Sequence, residues 1–325
     1  MAVVRNLSIS DKAGSLDSRR ATIALAVIWA CFMVAAILML GIGAYGVVVP
    51  VAGLLLAVAC SRLGLFKSLG IRWASWQIDK VDMLAVGAFY VVVVTLFKVA
   101  FGVFGTSHVA PLFIIFGLGM LVGVVGPIVY VVWMRHRTLA SIGIGLHNIR
   151  STAALAVVLG AVQFSVTLWN YQLPTPVDWI PVLLMSLTVG FFEAVFFRGF
   201  IQGTLERAFG VAPAVAVAAA LYALYHFGYG MGPSAMLFLF GLGVVYAIAY
   251  RVTSNVLVIW PLLTPLGGFF SQVKSGDMAG QLPWISMLGF GDVLAVMAVA
   301  IWLAARHQRR RRAAQPGGTK LAAAA

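Results

Sequence analysis

Acidic side chains are scarce in this sequence: its 325 residues include nine Asp and Glu, and charged residues of both signs make up 10%. A soluble globular domain carries about a quarter charged residues, so this scarcity excludes an ordinary water-soluble fold. The chain is instead apolar, with 62% hydrophobic residues and a mean hydropathy of +1.02. These values predict an integral membrane protein that crosses the bilayer many times as α-helices.

Cysteine is also scarce, and Cys31 and Cys60 both lie within apolar runs. Two isolated thiols in such runs exclude a disulfide framework and a cysteine metal cluster. A catalytic zinc needs three protein ligands, and the predicted membrane interior offers one Glu and one His. We therefore expect neither a metal nor another cofactor.

Apolar runs of roughly 20 residues are long enough to cross a bilayer as helix. Ten stretches approach or exceed this length, at about 21–42, 46–61, 82–103, 109–134, 152–171, 180–208, 211–228, 234–250, 255–272 and 287–305. The predicted fold is thus an all-α, polytopic transmembrane bundle of about 8–10 spans.

The net charge of +13 is explained by the membrane rather than by nucleic acid. If the N-terminus is cytoplasmic, the external loops hold only Lys274 of the 22 Lys and Arg residues, and Lys98 and Arg198 fall within spans. Cytoplasmic loops of membrane proteins are enriched in Lys and Arg. This asymmetry predicts a multi-pass protein of the cell (plasma) membrane, with both termini cytoplasmic, membrane lipid as a partner and no nucleic acid.

The chain divides into five predicted parts. They are a cytoplasmic tail (1–20), N-terminal transmembrane helices (21–141), a core (142–272), an external loop with the last transmembrane helix (273–305), and a basic cytoplasmic tail (306–325). In the last part, the favoured interpretation of Arg309–Arg312 is an orientation signal with a solvated tail, and the alternative is a contact with anionic lipid headgroups.

Glu193 is the acidic residue that lies deep in a predicted span, where an ionisable group is costly. If the spans at 180–208 and 211–228 form a hairpin that turns near Gly210, Glu193 and His226 lie at about the same depth. In an α-helix, Arg198 lies about 140° around from Glu193 and is expected to have a different partner.

A carboxylate beside an imidazole can act as a general base toward a water molecule held between them. Such a water would attack a peptide carbonyl, provided that nearby donors stabilise the oxyanion. The alternative is a buried polar cluster that only ties helices together. The two residues by themselves favour neither interpretation.

The pattern Glu-x-x-x-x-Arg-Gly at Glu193, followed by an aromatic-x-x-x-His pattern that ends at His226, resembles the CPBP family of CAAX-protease and bacteriocin-processing membrane proteins. The stretch 142–146 is similar to that family's glycine-containing lead-in. The stretch 250–255 resembles its Tyr-x-x-Thr-Gly-Ser segment. The resemblance covers residues 142–272 and implies an intramembrane endopeptidase whose catalytic residues include Glu193, Arg198 and His226.

Two departures from the family pattern concern the catalytic set. The family's first motif usually has a second Glu, which is Ala194 here, and its third motif usually supplies a His and an Asn or Asp, which are Leu263 and Gly267 here. The oxyanion-stabilising role that the resemblance implies therefore has no obvious holder. Thr264 is a possible substitute, although a kinked, packed helix is the favoured interpretation of that segment. Tyr222 is a further candidate supporting residue, although packing is favoured for it and for Tyr225.

Three functions follow from these patterns. The first is an intramembrane endopeptidase that acts on a membrane-protein or peptide substrate of unknown identity. The second is a catalytically inactive family member that serves as a binding, chaperone or immunity module. The third, a transporter with a proton relay through Glu193 and His226, has the least support because no repeat of broken helices is present. Residue usage looks bacterial.

Overall fold

The computed structural model describes residues 78–105, 108–145, 176–263 and 287–314, together with a few positions between 150 and 161. Within these ranges the chain is helical and has no strand, which confirms the predicted all-α class. The α-helices are α1 Lys80–Val99, α2 Val109–Val129, α3 Pro176–Glu193, α4 Gly203–Phe209, α5 Val211–Tyr225, α6 Pro233–Thr253, α7 Val256–Leu263 and α8 Phe290–Ala313.

Five helical runs in the described residues are long and apolar enough to cross a membrane. They are Lys80–Phe104, Val109–Met134, Trp179–Phe209, Val211–Tyr229 and Phe290–Ala313, and a shorter apolar helix covers Ala235–Arg251. These runs coincide with predicted spans, so the chain is a multi-pass membrane protein. The predicted spans 21–42 and 46–61, most of 152–171 and the second half of 255–272 lie outside the described residues. The total count, the orientation of the termini and the division into five parts therefore stay predictions.

Ion pairs around Asp82 join the start of α1 to the end of α2. The buried Asp82 carboxylate accepts hydrogen bonds from Tyr130 Oη and Arg137 Nη1, each at 2.7 Å, and lies 3.0 Å from Arg135 Nε. Arg135 also pairs with Asp79, whose side chain caps the first turn of α1. Both acidic residues thus hold arginines at one end of the bundle.

The ends of α4 and α6 carry arginines to this same end. Arg207 Nη2 lies 3.9 Å from the Asp82 carboxylate, and Arg251 Nη1 lies 3.3 Å from Glu206 Oε2. The arginines that lie at or just after the ends of α2, α4 and α6 are therefore together at one end of the bundle. This is the arrangement that the charge asymmetry predicts.

The hairpin between α4 and α5 turns at Gly210, where φ is +85°. A glycine adopts this left-handed φ without steric strain, which allows the sharp reversal of the chain. Beyond the turn, α5 packs against α6 and against the segment between α3 and α4. The hairpin that the sequence predicts is therefore present, and it brings the C-terminal part of α5 beside Glu193.

Candidate active site

Glu193 is the last residue of α3, and Arg198 lies on the π-helical segment Ala194–Gln202, which follows it and joins α3 to α4. A π-helix is closed by hydrogen bonds between residues five apart, so such residues lie about one turn from each other. The α-helical angle assumed from the sequence, about 140° between the two residues, is therefore wrong. The wider winding brings Arg198 toward the face that carries Glu193. π-helical turns are rare and occur frequently at functional sites.

Gly199 allows this π-helix to pack against the 3₁₀ turn Leu139–Ile142. A Cβ at position 199 would lie closer than 3.0 Å to the carbonyl oxygen of Ile142, a separation that Cβ atoms essentially never show. The next residue, Gly143, accepts a hydrogen bond from Val256 N at 2.9 Å. The Arg-Gly pair and the glycine-containing stretch that begins at Ile142 are thus neighbours in space.

Two tyrosines of α5 hold the buried Glu193 carboxylate. Tyr225 Oη donates a hydrogen bond to Oε1, and Tyr222 Oη donates to Oε2 at 3.4 Å. The sequence favoured packing for both tyrosines. In the structure the rings are buried in the core and the hydroxyls also hydrogen-bond, since a buried carboxylate needs donors.

His226 contacts the same tyrosine, Tyr225, that bonds Glu193. Its Nδ1 is 2.9 Å from the carbonyl oxygen of Tyr222. A carbonyl only accepts, so Nδ1 carries the proton and Nε2 is the acceptor. Within residues 176–263 no hydrogen bond joins Glu193 to His226. Tyr225 connects them, because its hydroxyl donates to Glu193 and its ring centroid is 4.1 Å from that of His226.

Arg198 is completely buried, and its three nitrogens have no hydrogen-bond partner among the described residues. The guanidinium carbon lies 4.9 Å from the centroid of the Tyr222 ring, the same tyrosine that donates to Glu193. A guanidinium has five N–H donors and keeps its charge in proteins. Buried donors without acceptors are costly, so this side chain is a strong candidate for binding an oxygen of another molecule.

Residues 174–262 match the family model described as type II CAAX prenyl endopeptidase Rce1-like. This segment is Rce1-like. The match confirms the resemblance found from the sequence motifs and contains Glu193, Arg198, Gly199 and His226. It covers 89 of the 325 residues (262 − 174 + 1). No curated protein and no solved structure matches the chain.

The Rce1-like segment departs from the family motif at Ala194, which is completely buried among apolar side chains. The second departure, Leu263, ends α7. Thr264 and Gly267 lie outside the described residues, so the supporting role of Thr264 stays a prediction. Among the described residues no group of three or more His, Cys, Asp or Glu is arranged to hold a metal.

The stretch 250–255 links α6 to α7 inside the Rce1-like segment. Ser254 ends α6 with φ +48°, in the left-handed region, and stands where the family segment has Gly. Asn255 then caps the start of α7, because its Oδ1 accepts a hydrogen bond from Leu257 N at 2.9 Å. Trp260 Nε1 donates to the carbonyl of Leu187 at 2.7 Å, which ties α7 to the helix that carries Glu193. The link therefore leads into a helix that packs against α3, which carries Glu193.

Proposed function

We propose that this chain is an intramembrane endopeptidase of the CAAX-protease-like type, in the plasma membrane of a bacterium. One observation carries the proposal: inside the Rce1-like match, the end of α3 and the π-helix that follows it present a buried carboxylate and an unpaired guanidinium that both contact Tyr222. The family consists of membrane endopeptidases, and these are the charges that hydrolysis of a peptide bond needs. The substrate is a membrane protein or peptide of unknown identity.

Glu193 is the general base in this proposal. The hydroxyl of Tyr222 is 3.4 Å from the Glu193 carboxylate, which is the longer of the two tyrosine hydrogen bonds to that carboxylate. A water molecule that takes the place of the Tyr222 hydroxyl therefore replaces the weaker of the two hydrogen bonds. His226 Nε2 accepts a hydrogen bond from the same water and orients it. Tyr225 keeps the carboxylate charged, because a hydrogen bond to an ionised group is stronger than one between neutral groups.

The reaction then proceeds in two steps. The water oxygen bonds to the peptide carbonyl carbon while Glu193 takes its proton. The negative oxygen that forms accepts hydrogen bonds from Arg198, which fills the oxyanion-stabilising role left open by Leu263 and Gly267. The C–N bond then breaks, and the proton on Glu193 passes to the leaving amine. No nucleic acid or cofactor enters these steps.

The test compares new protein N-termini in the membrane fraction of cells that carry wild-type protein or Glu193→Ala at equal abundance. Glu206→Ala is the matched control, because Glu206 also lies in the span that carries Glu193 and bonds Gln202 and Arg251. We expect a set of cleavages that needs Glu193 and survives in the control. If wild-type protein and both variants, all folded, give identical N-termini, the proposed proteolytic function is ruled out.

A non-catalytic binding module is the second candidate. Ala194 in place of the second Glu favours it, and so does the fact that Glu193 already receives hydrogen bonds from two tyrosines. Under this function Glu193→Gln leaves partner binding intact, because the amide oxygen still accepts from Tyr225. The same variant abolishes cleavage under the first function.

A further inference from the structure

The last helix, α8, ends in a group of exposed arginines, Arg306 and Arg309–Arg312. None of the ion pairs in the described residues involves them, whereas Arg135, Arg137 and Arg251 each have an acidic partner. No acidic side chain of the described residues therefore neutralises the arginines of α8, and their charge can attract an anion outside the bundle.

The helical winding divides these arginines between two faces of α8. At 3.6 residues per turn, Arg306 and Arg309 lie about 40° and 20° from Trp302, and Arg311 lies about 180° from it. Trp302 is 53% exposed on an apolar span, so its face points toward lipid. The guanidinium of Arg306 lies 5.4 Å from the Trp302 ring centroid on this face.

Arg311 faces the bundle, as the winding requires. Its Nη1 lies 3.0 Å from Nδ1 of His136, just after α2 and its π-helical extension Tyr130–Met134. Nearby, Gln308 Nε2 donates to the carbonyl of Arg137 at 3.4 Å, which docks this side of α8 against α2. The lipid-facing and bundle-facing arginines are thus distinct in their contacts.

The depth of the lipid-facing arginines matches a headgroup layer. Tryptophan is enriched at the boundary between hydrocarbon and headgroups. At about 1.5 Å per residue, Arg306 lies about 6 Å and Arg309 about 10 Å beyond Trp302 along the axis. A headgroup layer is roughly 5–8 Å thick on each side of the hydrocarbon core, so Arg306 lies within it. Arg309 begins just beyond it, and its side chain reaches back into it because helical side chains tilt toward the helix N-terminus.

We propose that Trp302, Arg306 and Arg309 form a binding site for the headgroup of an anionic phospholipid. The two guanidiniums bind the oxygens of the phosphate, whose negative charge is not neutralised by a cation in the same headgroup, and this geometry suits arginine. The exposed Trp302 ring contacts the upper acyl chain. The apolar contact below the two charges selects a lipid over a free phosphate ion.

The experiment titrates the purified full chain in detergent with phosphatidylglycerol or with phosphatidylcholine of the same acyl chains, and counts bound lipid by native mass spectrometry. Arg309→Gln is compared with Arg311→Gln, which removes the same charge two residues away on the opposite face. A charge near anionic lipid contributes about fivefold in affinity. We expect Arg309→Gln to weaken phosphatidylglycerol binding about fivefold, and Arg311→Gln to leave it within about twofold of wild type.

Three results would overturn the site. Equal binding of the two lipids by wild-type protein would show that no anionic selectivity exists. Equal losses of phosphatidylglycerol affinity in Arg309→Gln and Arg311→Gln would show that binding depends on the net charge of α8 and not on a site on one face. Displacement of phosphatidylglycerol by inorganic phosphate at equal concentration would identify a phosphate-ion site. If Arg309→Gln does not fold, Arg306→Gln, on the same face, takes its place with the same expected loss.

Discussion

Replacing Gly199 with alanine tests the packing that holds the π-helix in place. The added methyl carbon would press on the carbonyl oxygen of Ile142, and it would lie 3.1 Å from the carbonyl carbon of that residue and 3.3 Å from Cγ1 of Val256. Two of these three atoms belong to backbone, so they cannot rotate away. The π-helix and the 3₁₀ turn must therefore separate.

Overpacking of this kind costs about 1–3 kcal/mol in the free energy of unfolding. The displacement also reaches the site, because Arg198 precedes Gly199 and Glu193 lies one and a half turns earlier. A misplacement of about 1 Å in a catalytic group can lower a rate about a hundredfold. We therefore expect Gly199→Ala to lose stability and nearly all Glu193-dependent cleavage.

The assay is equilibrium unfolding in mixed micelles, followed by helical circular dichroism. Gly87→Ala is the matched control, because Gly87 lies within α1 and a Cβ there meets nothing within 4 Å. Alanine favours helix over glycine by up to about 1 kcal/mol, so the control should be unchanged or stabilised. Equal stability changes in the two variants would refute the packing argument at Gly199.

Three further predictions concern stability and rate. Asp82→Asn removes the buried charge that holds two arginines, so it should lower the free energy of unfolding by about 3 kcal/mol in the same assay. Asp79→Asn should lower it by less than about 1 kcal/mol, because Asp79 is more exposed and Asn also caps a helix. Equal costs would contradict the network described. Ser254→Gly should raise stability by about 1 kcal/mol, because it relieves a left-handed φ, and a loss would contradict that strain. Tyr225→Phe should slow Glu193-dependent cleavage about tenfold, since it removes a donor to an ionised group, and an unchanged cleavage rate would contradict that role.

Much of the bundle could be predicted because its signals are local. The length of an apolar run sets a membrane span, and the helices that begin at Lys80, Val109 and Val211 start within two residues of their predicted positions. Gly210 marked the hairpin, which brought α5 beside Glu193. The position of the arginines at one end of the bundle likewise follows from the positions of the charges along the chain.

The internal geometry of the site was harder to predict. Nothing in the composition of Ala194–Gln202 distinguishes a π-helix from an α-helix, so the direction of Arg198 was misjudged. The spacing of Tyr222 and Tyr225 did carry a usable signal, because residues three apart share one helix face and both hydroxyls can reach one carboxylate. The pairing of Asp82 with particular arginines depends on long-range packing, which sequence spacing does not encode.

The central claim is that this protein hydrolyses peptide bonds with Glu193 as the general base. An assay with purified protein tests this claim most directly. Wild-type chain and Glu193→Gln, each in liposomes, are mixed with solubilised membrane proteins from cells that lack the chain, and new N-termini are sequenced by mass spectrometry. The account predicts cleavages with wild-type protein that are absent with Glu193→Gln, at equal amounts of folded protein. The same N-termini in both samples, or none in either, would contradict it.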